Sequence, residues 1–439
     1  MNMDRISCLP DSVLCCILSY LPTKEAVTTS ILSRRWRHVW KDLEVIDLDE
    51  SPFWSCLGRD ARFDSYVNAI LAQRNADSYP IKKFRLTCLK FTEELISTWA
   101  WLDAVIGPHL QELYFSLNVE RRIFLPVAVY TCASLKSLVL KLHLSMDHGN
   151  VYLPSLKNLE LDVIHADPSD FLSGCPVLEN LKLIHDNMYP EPHAGYSYVP
   201  TIQMPRTLKS LTFEENSTLP EEINQREIYA PSLEYLHLKI GTLENTELQV
   251  SVIHFPKMVE AHLDVHLEGV EHVGWVPVLL HALCETKFLA LKHYTTEYIF
   301  SAPDFVFPEF HHLLNLEVDV SCFNTNFLLN FLHNCHVLED LAIRIWKGRY
   351  FRTVEYNGPT PPTMVPNCLL SHLKSLEFRE YRDSPDEHEF IAYLLQRGLV
   401  LKTVTIHLKH DFNIETKYDI ARGLSAIPRV SPICQLNFI

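Results

Sequence analysis

The sequence predicts an α/β protein: a short helical N-terminal segment followed by an irregular solenoid of parallel strands. Two observations carry that prediction. A phrase of the form L-x-x-L-x-L returns about every 21 to 35 residues between positions 110 and 406, and the stretches between copies carry helical patterning. The length agrees: 439 residues exceed one ordinary compact core, whereas a stack of repeats has no such limit.

Composition narrows the function. The chain is 47% hydrophobic and 21% charged, a globular balance. Its 54 acidic and 39 basic residues give a formal charge of −15, which argues against general affinity for nucleic acid or anionic lipid. Twelve cysteines are spread from Cys8 to Cys434 without a CxxC pair, as expected for reduced, mostly buried thiols. The start, MNMDRISCLPDSVL, carries Asp4 and Asp11 and lacks an uninterrupted signal-type apolar core. No apolar run approaches the roughly 18 residues of a membrane span. These features predict a soluble, intracellular chain, and in that setting the sequon Asn216-Ser217-Thr218 reads as chance.

The first element is a helix between Pro10 and Pro22, with Val13, Leu14, Ile17, Leu18 and Leu21 forming one apolar face. A second is expected from Lys24 to Leu32, capped by Thr23, with Ala26, Val27 and Ile31 apolar. Ser33 is placed to cap a third, which sets Trp36 and Trp40 one turn apart, with Arg34, Arg35, Arg37 and Lys41 largely on other faces. Three short helices make a poor independent core and offer more apolar surface than one such bundle buries. They form either a cap on the following domain or a platform for a partner.

The stretch LPDSVLCCILSYLPTKEAVTTSILSRRWRHVW closely resembles the F-box motif. The matching elements are Leu9-Pro10, the aliphatic helix ending at Leu21-Pro22, Ala26-Val27, and Ser33-Arg34-Arg35-Trp36-Arg37. The resemblance covers about residues 5–45 and sets an F-box domain at 1–45. It implies docking to a Skp-type adaptor and, through it, to a cullin scaffold. The residues expected in or directly beneath that interface are Leu9, Pro10, Val13, Leu14, Ile17, Leu18, Leu21, Val27, Leu32, Trp36 and Trp40, the tryptophans as packing residues. As a nuclear targeting signal the basic knot is weak, three arginines split by a tryptophan.

The repeat follows. EVIDLD (44–49) and IKKFRL (81–86) supply opening strands. LQELYF (110–115), LKSLVL (135–140), LKNLEL (156–161), LENLKL (178–183), LKSLTF (208–213) and LEYLHL (233–238) are clear copies, and looser ones run to LKTVTI (401–406). This is the period of a leucine-rich repeat. In each copy the alternating pair, such as Leu159 and Leu161, points inward from a short strand. One unit cannot bury its apolar face alone, so units stack. SDFLSGCP (169–176), VPVLLHALC (276–284) and NFLLNFLHNC (326–335) read as the intervening helices, and 187–205 as a loop insertion.

Strand residues between the inward leucines face the concave side of such a solenoid. They include Glu160, Asp162, Lys182, Thr212, Glu214, His237, Lys239, His262, Asp264, Glu317, Asp319, Arg344, Glu377 and Arg379. The candidates for holding a target are Lys182, His237, Lys239, His262, Arg344 and Arg379. Lys239 and Arg344 stand out as cations with acidic neighbours, expected to be Glu234 and Asp340.

Proline-rich NGPTPPTMVP (357–366) is linker-like, after which the leucine pattern resumes at Leu373. Phe390 to Leu395 predicts a helix ended near Gly398. Leu401, Val404 and Ile406 predict a strand, Ile420 to Leu424 a short helix, and Cys434 to Ile439 a strand-like end. Residues Pro366-Asn367-Cys368-Leu369, Leu373-Lys374-Ser375-Leu376, Tyr393-Leu394-Leu395, Leu401-Lys402, Pro428-Arg429-Val430-Ser431 and Cys434-Gln435-Leu436 resemble the FBD module of plant F-box proteins with leucine-rich repeats. At Arg382-Asp383 the chain departs from the Lys-Gly or similar turn usual there. The organisation expected is therefore F-box 1–45, solenoid 46–356 and FBD module 357–439, the last capping the stack.

The catalytic and cofactor signatures of the sequence are incomplete. Gly269 and Gly274 have P-loop spacing, but Trp275-Val276 follow where Lys-Ser/Thr is needed. GxGxxG and GxSxG do not occur, and His388-Glu389 meets Ala392 where a zincin has histidine. His311-His312 and Cys15-Cys16 are adjacent pairs without ligand spacing. No cofactor, metal or catalytic residue is expected. The resemblance implies a non-catalytic substrate receptor of a ubiquitin ligase in cytoplasm or nucleus, with a small-molecule sensor or an adaptor-bound scaffold as alternatives.

Overall fold

The structure is a computed structural model that describes residues 6, 8–53, 59–77, 80–89, 96–118, 123–142, 151–163, 168–187, 204–217, 224–228, 230–242, 248–252, 255–267, 275–301, 305–346 and 363–439. The chain divides into two compact units, 1–186 and 187–439.

The first unit opens with α1 (Asp11–Leu18), α2 (Thr23–Thr28) and α3 (Trp36–Val39), with 3-10 turns at Thr29–Ile31 and Trp40–Asp42. Then come β1 (Val45–Asp49), α4 (Arg59–Asp77), β2 (Lys83–Cys88), α5 (Ile96–Val105), β3 (Glu112–Leu117), α6 (Val127–Tyr130), β4 (Ser137–Lys141), β5 (Asn158–Val163), α7 (Ser169–Ser173) and β6 (Asn180–Asn187). Strands β1 to β6 pair in chain order, all parallel.

The second unit holds β7 (Ser210–Ser217), β8 (Asn224–Ile228), β9 (Tyr235–Thr242), β10 (Leu248–Val252), β11 (Glu260–Leu267), α8 (Trp275–Ala282), β12 (Phe288–Leu291), α9 (His293–Ser301), β13 (Asn315–Val320), α10 (Thr325–His333), β14 (Asp340–Ile345), α11 (Asn367–Ser371), β15 (Ser375–Tyr381), α12 (Pro385–Arg397), β16 (Thr403–Leu408), α13 (Ile414–Ser425) and β17 (Gln435–Phe438). Its main sheet is again parallel, in the order β7-β9-β11-β12-β13-β14-β15-β16-β17. Strands β8 and β10 form a small parallel pair.

The leucine phrase explains both sheets. Leu159 and Leu161, Leu181 and Leu183, and Leu236 and Leu238 are all buried; the register sets the first pair beside the second within the first unit, and the third beside Ala261 and Leu263 within the second. A second regularity lies at the strand entrances. One carbonyl accepts two successive amides from the following repeat. Glu44 O takes Lys82 N and Lys83 N at 2.8 and 3.0 Å, Lys136 O takes Lys157 N and Asn158 N at 2.9 and 3.0 Å, and Leu314 O takes Glu339 N and Asp340 N at 2.8 and 3.0 Å. A carbonyl oxygen has two lone pairs, so the arrangement satisfies two donors that turn into the strand. Gly174 marks a tight crossing in the first unit. A β-carbon there would lie 2.3 Å from Val151 O, and the Gly174 carbonyl accepts the Leu153 amide at 2.9 Å.

Several local expectations need correction. Thr23 does not cap α2: it is buried in the helix itself, and its Oγ1 accepts the Asp47 amide at 2.7 Å, tying the helix to β1. The second helix is shorter than expected and closes in the 3-10 turn at Thr29. Ser33 caps nothing, because α3 begins at Trp36 without a side-chain cap. The C-terminal helix is longer, running from Ile414 because Asn413 accepts the Thr416 amide at 2.7 Å. Helix α12 starts at a capping box formed by Ser384 and Glu387 and stops at Gly398 as expected. The loop insertion at 187–205 and the proline-rich 357–366 fall mostly outside the described residues.

Candidate functional site

Helix α1 has two apolar sides rather than one. Leu14 and Leu18 are 0% and 1% exposed and share an interior with Ala26, Trp36, Val39, Trp40 and Leu43. Val13 and Ile17, one residue earlier in each turn, stay exposed, as do Leu21, Ile31 and Leu32. Adjacent positions on a helix point about 100° apart, so the five residues cannot share one buried stripe. Pro10 is exposed, while Leu9 and Val27 are half-buried. Of the residues expected in or directly beneath the docking surface, Leu14, Leu18, Trp36 and Trp40 are the buried ones, the two tryptophans as packing residues: they build the platform from below. Tyr20, 83% exposed, and Ile31, 82% exposed, join the outward set. The sequence signal for Tyr20 was available, since it sits seven residues after Val13 and thus on the same helical side.

The basic knot has a structural task in Arg35. Its guanidinium holds Asp11 Oδ1 at 2.6 Å and donates to the Leu9 carbonyl, clipping the approach to α3 onto the start of α1. The Cys15 Sγ–H donates to Val39 O at 3.5 Å. Burial, then Asp42 and Asp11, raises the Cys15 thiol above its ordinary pKa, which lowers its thiolate fraction.

The second candidate surface is the outward face of the parallel strands. Among the target-binding candidates, Lys182 lies 3.1 Å from Glu160, which also faces Lys141 at 3.3 Å. Lys239 approaches Glu214 of the neighbouring strand at 3.9 Å. Arg379 grips Glu377 through two bonds of 2.8 Å, and His407 reaches the same carboxylate at 2.9 Å. The Arg379 bonds hold the Glu377 carboxyl below its ordinary pKa. Arg344 is exposed, has no ion-pair partner among the described residues, and lies in register between Asp319 and Arg379. The acidic neighbours expected for Lys239 and Arg344 are thus corrected. Glu234 and Asp340 stand five and four residues earlier, on the order of 13 Å or more along an extended chain, so Glu214 and Asp319 across the ladder take their place. Asp319 itself is not on the solvated face. It is buried and lies 3.3 Å from Lys292.

Aromatic rings cluster on this face within the second unit. His262 stacks on His237 at 5.8 Å, touches Tyr235 and Phe288 at 5.6 and 5.1 Å, and its Nε2 meets Glu260 at 2.7 Å. Burial, with His262 beside it, lowers the His237 pKa. Farther along, His293 stacks on Trp346 at 3.6 Å and Tyr294 on His266 at 3.7 Å. Burial lowers the His293 pKa against the opposing pull of Asp264 and Asp319. Sequence reasoning missed this second cluster because its members come from β11, α9 and the end of β14.

Three family models match the chain, one after another. The F-box domain family matches residues 6–47, the leucine-rich repeats of FBD-associated F-box protein At5g56370 match 99–268, and FBD matches 361–406. FBD-associated F-box protein At5g60610 of Arabidopsis thaliana is 32% identical over 421 residues, covering 92% of this chain and all of that protein. F-box/FBD/LRR-repeat protein At2g26030 of the same plant is 29% identical over 468 residues and covers both chains fully. Among the described residues no helix is long and apolar enough to cross a membrane. With an F-box at its start, leucine-rich repeats in its middle and an FBD at its end, this chain belongs to the plant family of FBD-associated F-box proteins with leucine-rich repeats.

Proposed function

We propose that the chain is the substrate-recognition subunit of a Skp–cullin–F-box ubiquitin ligase, itself without catalytic chemistry, working in cytoplasm or nucleus. We assign the F-box to 1–45, the solenoid to 46–356 and the capping FBD module to 357–439. The observation that carries the reading is the division of α1. An inward Leu14–Leu18 side, closed by Trp36 and Trp40, holds up an outward apolar set of Val13, Ile17, Tyr20, Leu21, Ile31 and Leu32. Aliphatic and aromatic anchors left in water on a rigid base are what an adaptor interface needs. Proximity would then do the catalytic work: the target is held near the transfer machinery of other subunits. The strand face supports a protein target over a small anion, because Lys182, Lys239 and Arg379 each already face a carboxylate.

The test is binding of the purified full chain to a Skp-type adaptor. The double variant Ile17→Asp, Leu32→Asp changes two exposed side chains and leaves the buried base intact. It is expected to weaken adaptor binding about thirtyfold or more, the usual effect of losing a central anchor. Undiminished binding by the double variant would remove the assignment.

A further inference from the structure

In the second unit, Glu309, His311 and His336 bring three metal-ligating atoms within 4.8 Å of one another. The repeat explains why. His311 stands two residues before the leucine phrase that begins at Leu313, and His336 stands two residues before the next, at Leu338. Equivalent positions in stacked repeats lie side by side. A parallel bridge between Phe310 and Cys335 fixes that alignment, and the Phe310 amide donates to Asn334 O at 2.7 Å. Phe310 and Cys335 are both fully buried and anchor the two segments. Glu309 and His311 flank Phe310 and, in an extended segment, project to the same side. The His311 and His336 rings lie 6.0 Å apart, tilted by 22°, and His311 Nε2 is 3.7 Å from Glu309 Oε2. Bonds of about 2.0–2.1 Å at a tetrahedral angle require ligand atoms roughly 3.3 Å apart. Small rotations of surface side chains cover the difference.

We propose that Glu309, His311 and His336 form a binding site for a divalent transition-metal ion, Zn²⁺ foremost, that staples two successive repeats. Two imidazoles and one carboxylate suit Zn²⁺ and its neighbours, whereas Mg²⁺ and Ca²⁺ demand oxygen ligands. Three protein ligands leave a fourth position for water. The ion bridges the segments that lead into β13 and β14, so it binds the folded stack and not the unfolded chain, and binding raises the unfolding temperature.

Zn²⁺ is titrated calorimetrically into the metal-free full chain at neutral pH, with Mg²⁺ as a parallel titrant and thermal unfolding as a second readout. The expected result is one Zn²⁺ site, no Mg²⁺ response, and a Zn²⁺-dependent rise in unfolding temperature. His311→Ala and His336→Ala each weaken the site by at least about tenfold, the scale of loss seen even for outer partners of metal ligands. His281→Ala, an exposed histidine bonded to Pro277 O outside the cluster, leaves it unchanged. All three positions are at the surface or half-exposed, so the metal-free variants unfold at the wild-type temperature. A chain that takes up no Zn²⁺, or one whose Zn²⁺ site survives the His311→Ala, His336→Ala pair, overturns the proposal.

Discussion

Asp383 carries a backbone φ of 61°, the left-handed region that a β-carbon disfavours. Glycine adopts this region freely, so here the chain makes its turn without the residue that makes it easy. Two bonds compensate. The buried Tyr381 hydroxyl donates to Asp383 Oδ1 at 3.1 Å, and Glu387 accepts the Arg382 amide at 2.8 Å on the far side of the turn. Asp383→Ala keeps the strain and discards the first bond, and should cost about 1 kcal/mol. Asp383→Gly discards the same bond but relieves the strain, and should be the more stable of the two by about 0.5–1 kcal/mol. Denaturant unfolding of both variants checks the order, and a glycine variant less stable than the alanine one would refute it. The departure at Arg382-Asp383 was legible in the sequence; the conformation it must adopt was not, because only the packing around Tyr381 and α12 fixes it.

Repeats were the most legible elements, since a leucine pair recurring at nearly constant spacing has few other uses. Leu181 illustrates the energetics. It is buried in β6 beside the equivalent Leu159, and Leu181→Ala should cost roughly 2–5 kcal/mol through the cavity left behind. Val177, exposed just before the same repeat, provides the contrast: Val177→Ala should change stability by less than about 0.5 kcal/mol. Thermal unfolding that gave similar losses for both would contradict a core built from the leucine pairs. Capping was less legible. Thr23 and Ser33 look like caps in one dimension, yet the Thr23 hydroxyl serves β1 and the chain before Trp36 is already helical in its backbone. Amphipathicity was half legible. The apolar positions of α1 were found, but which of them face inward depended on where Trp36 and Trp40 came to rest.

At the scale of the whole chain, the formal charge of −15 is not spread as a simple acidic coat. On the strand face cations and carboxylates are interspersed, with Lys239 beside Glu214 and Arg379 paired with Glu377, while Arg344 stands in register between the buried Asp319 and Arg379. The sequence named the residues of this face, yet it misassigned their partners because those arrive from the next repeat and not from nearby in the chain. If the face selects a target, Lys239→Glu with Arg344→Glu places like charges where a partner's acidic groups would dock, which can cost several kcal/mol. Adaptor recovery should be unchanged, since Val13, Ile17 and Leu32 are untouched. Comparison of co-purified proteins from wild type and the double variant decides: target chains should be lost while the adaptor stays, and equal recovery of every chain would exclude this part of the face.

The doubled carbonyl contacts at the strand entrances give each unit a mechanical grain. Among the described residues most rungs are tied to the rung before them by the same short set of bonds, and a bond that skips a rung, such as Thr325 Oγ1 to Asp386 O at 3.1 Å, is the exception. Pulled from an end, such a ladder has no single clasp to break. Load passes to the outermost rung, which peels away and hands the tension to the next. A repeat of the length between Leu313 and Leu338 would release about 80–90 Å of slack as it straightens. A chain built this way would be easy for an unfolding motor to dismantle from either end, step by step.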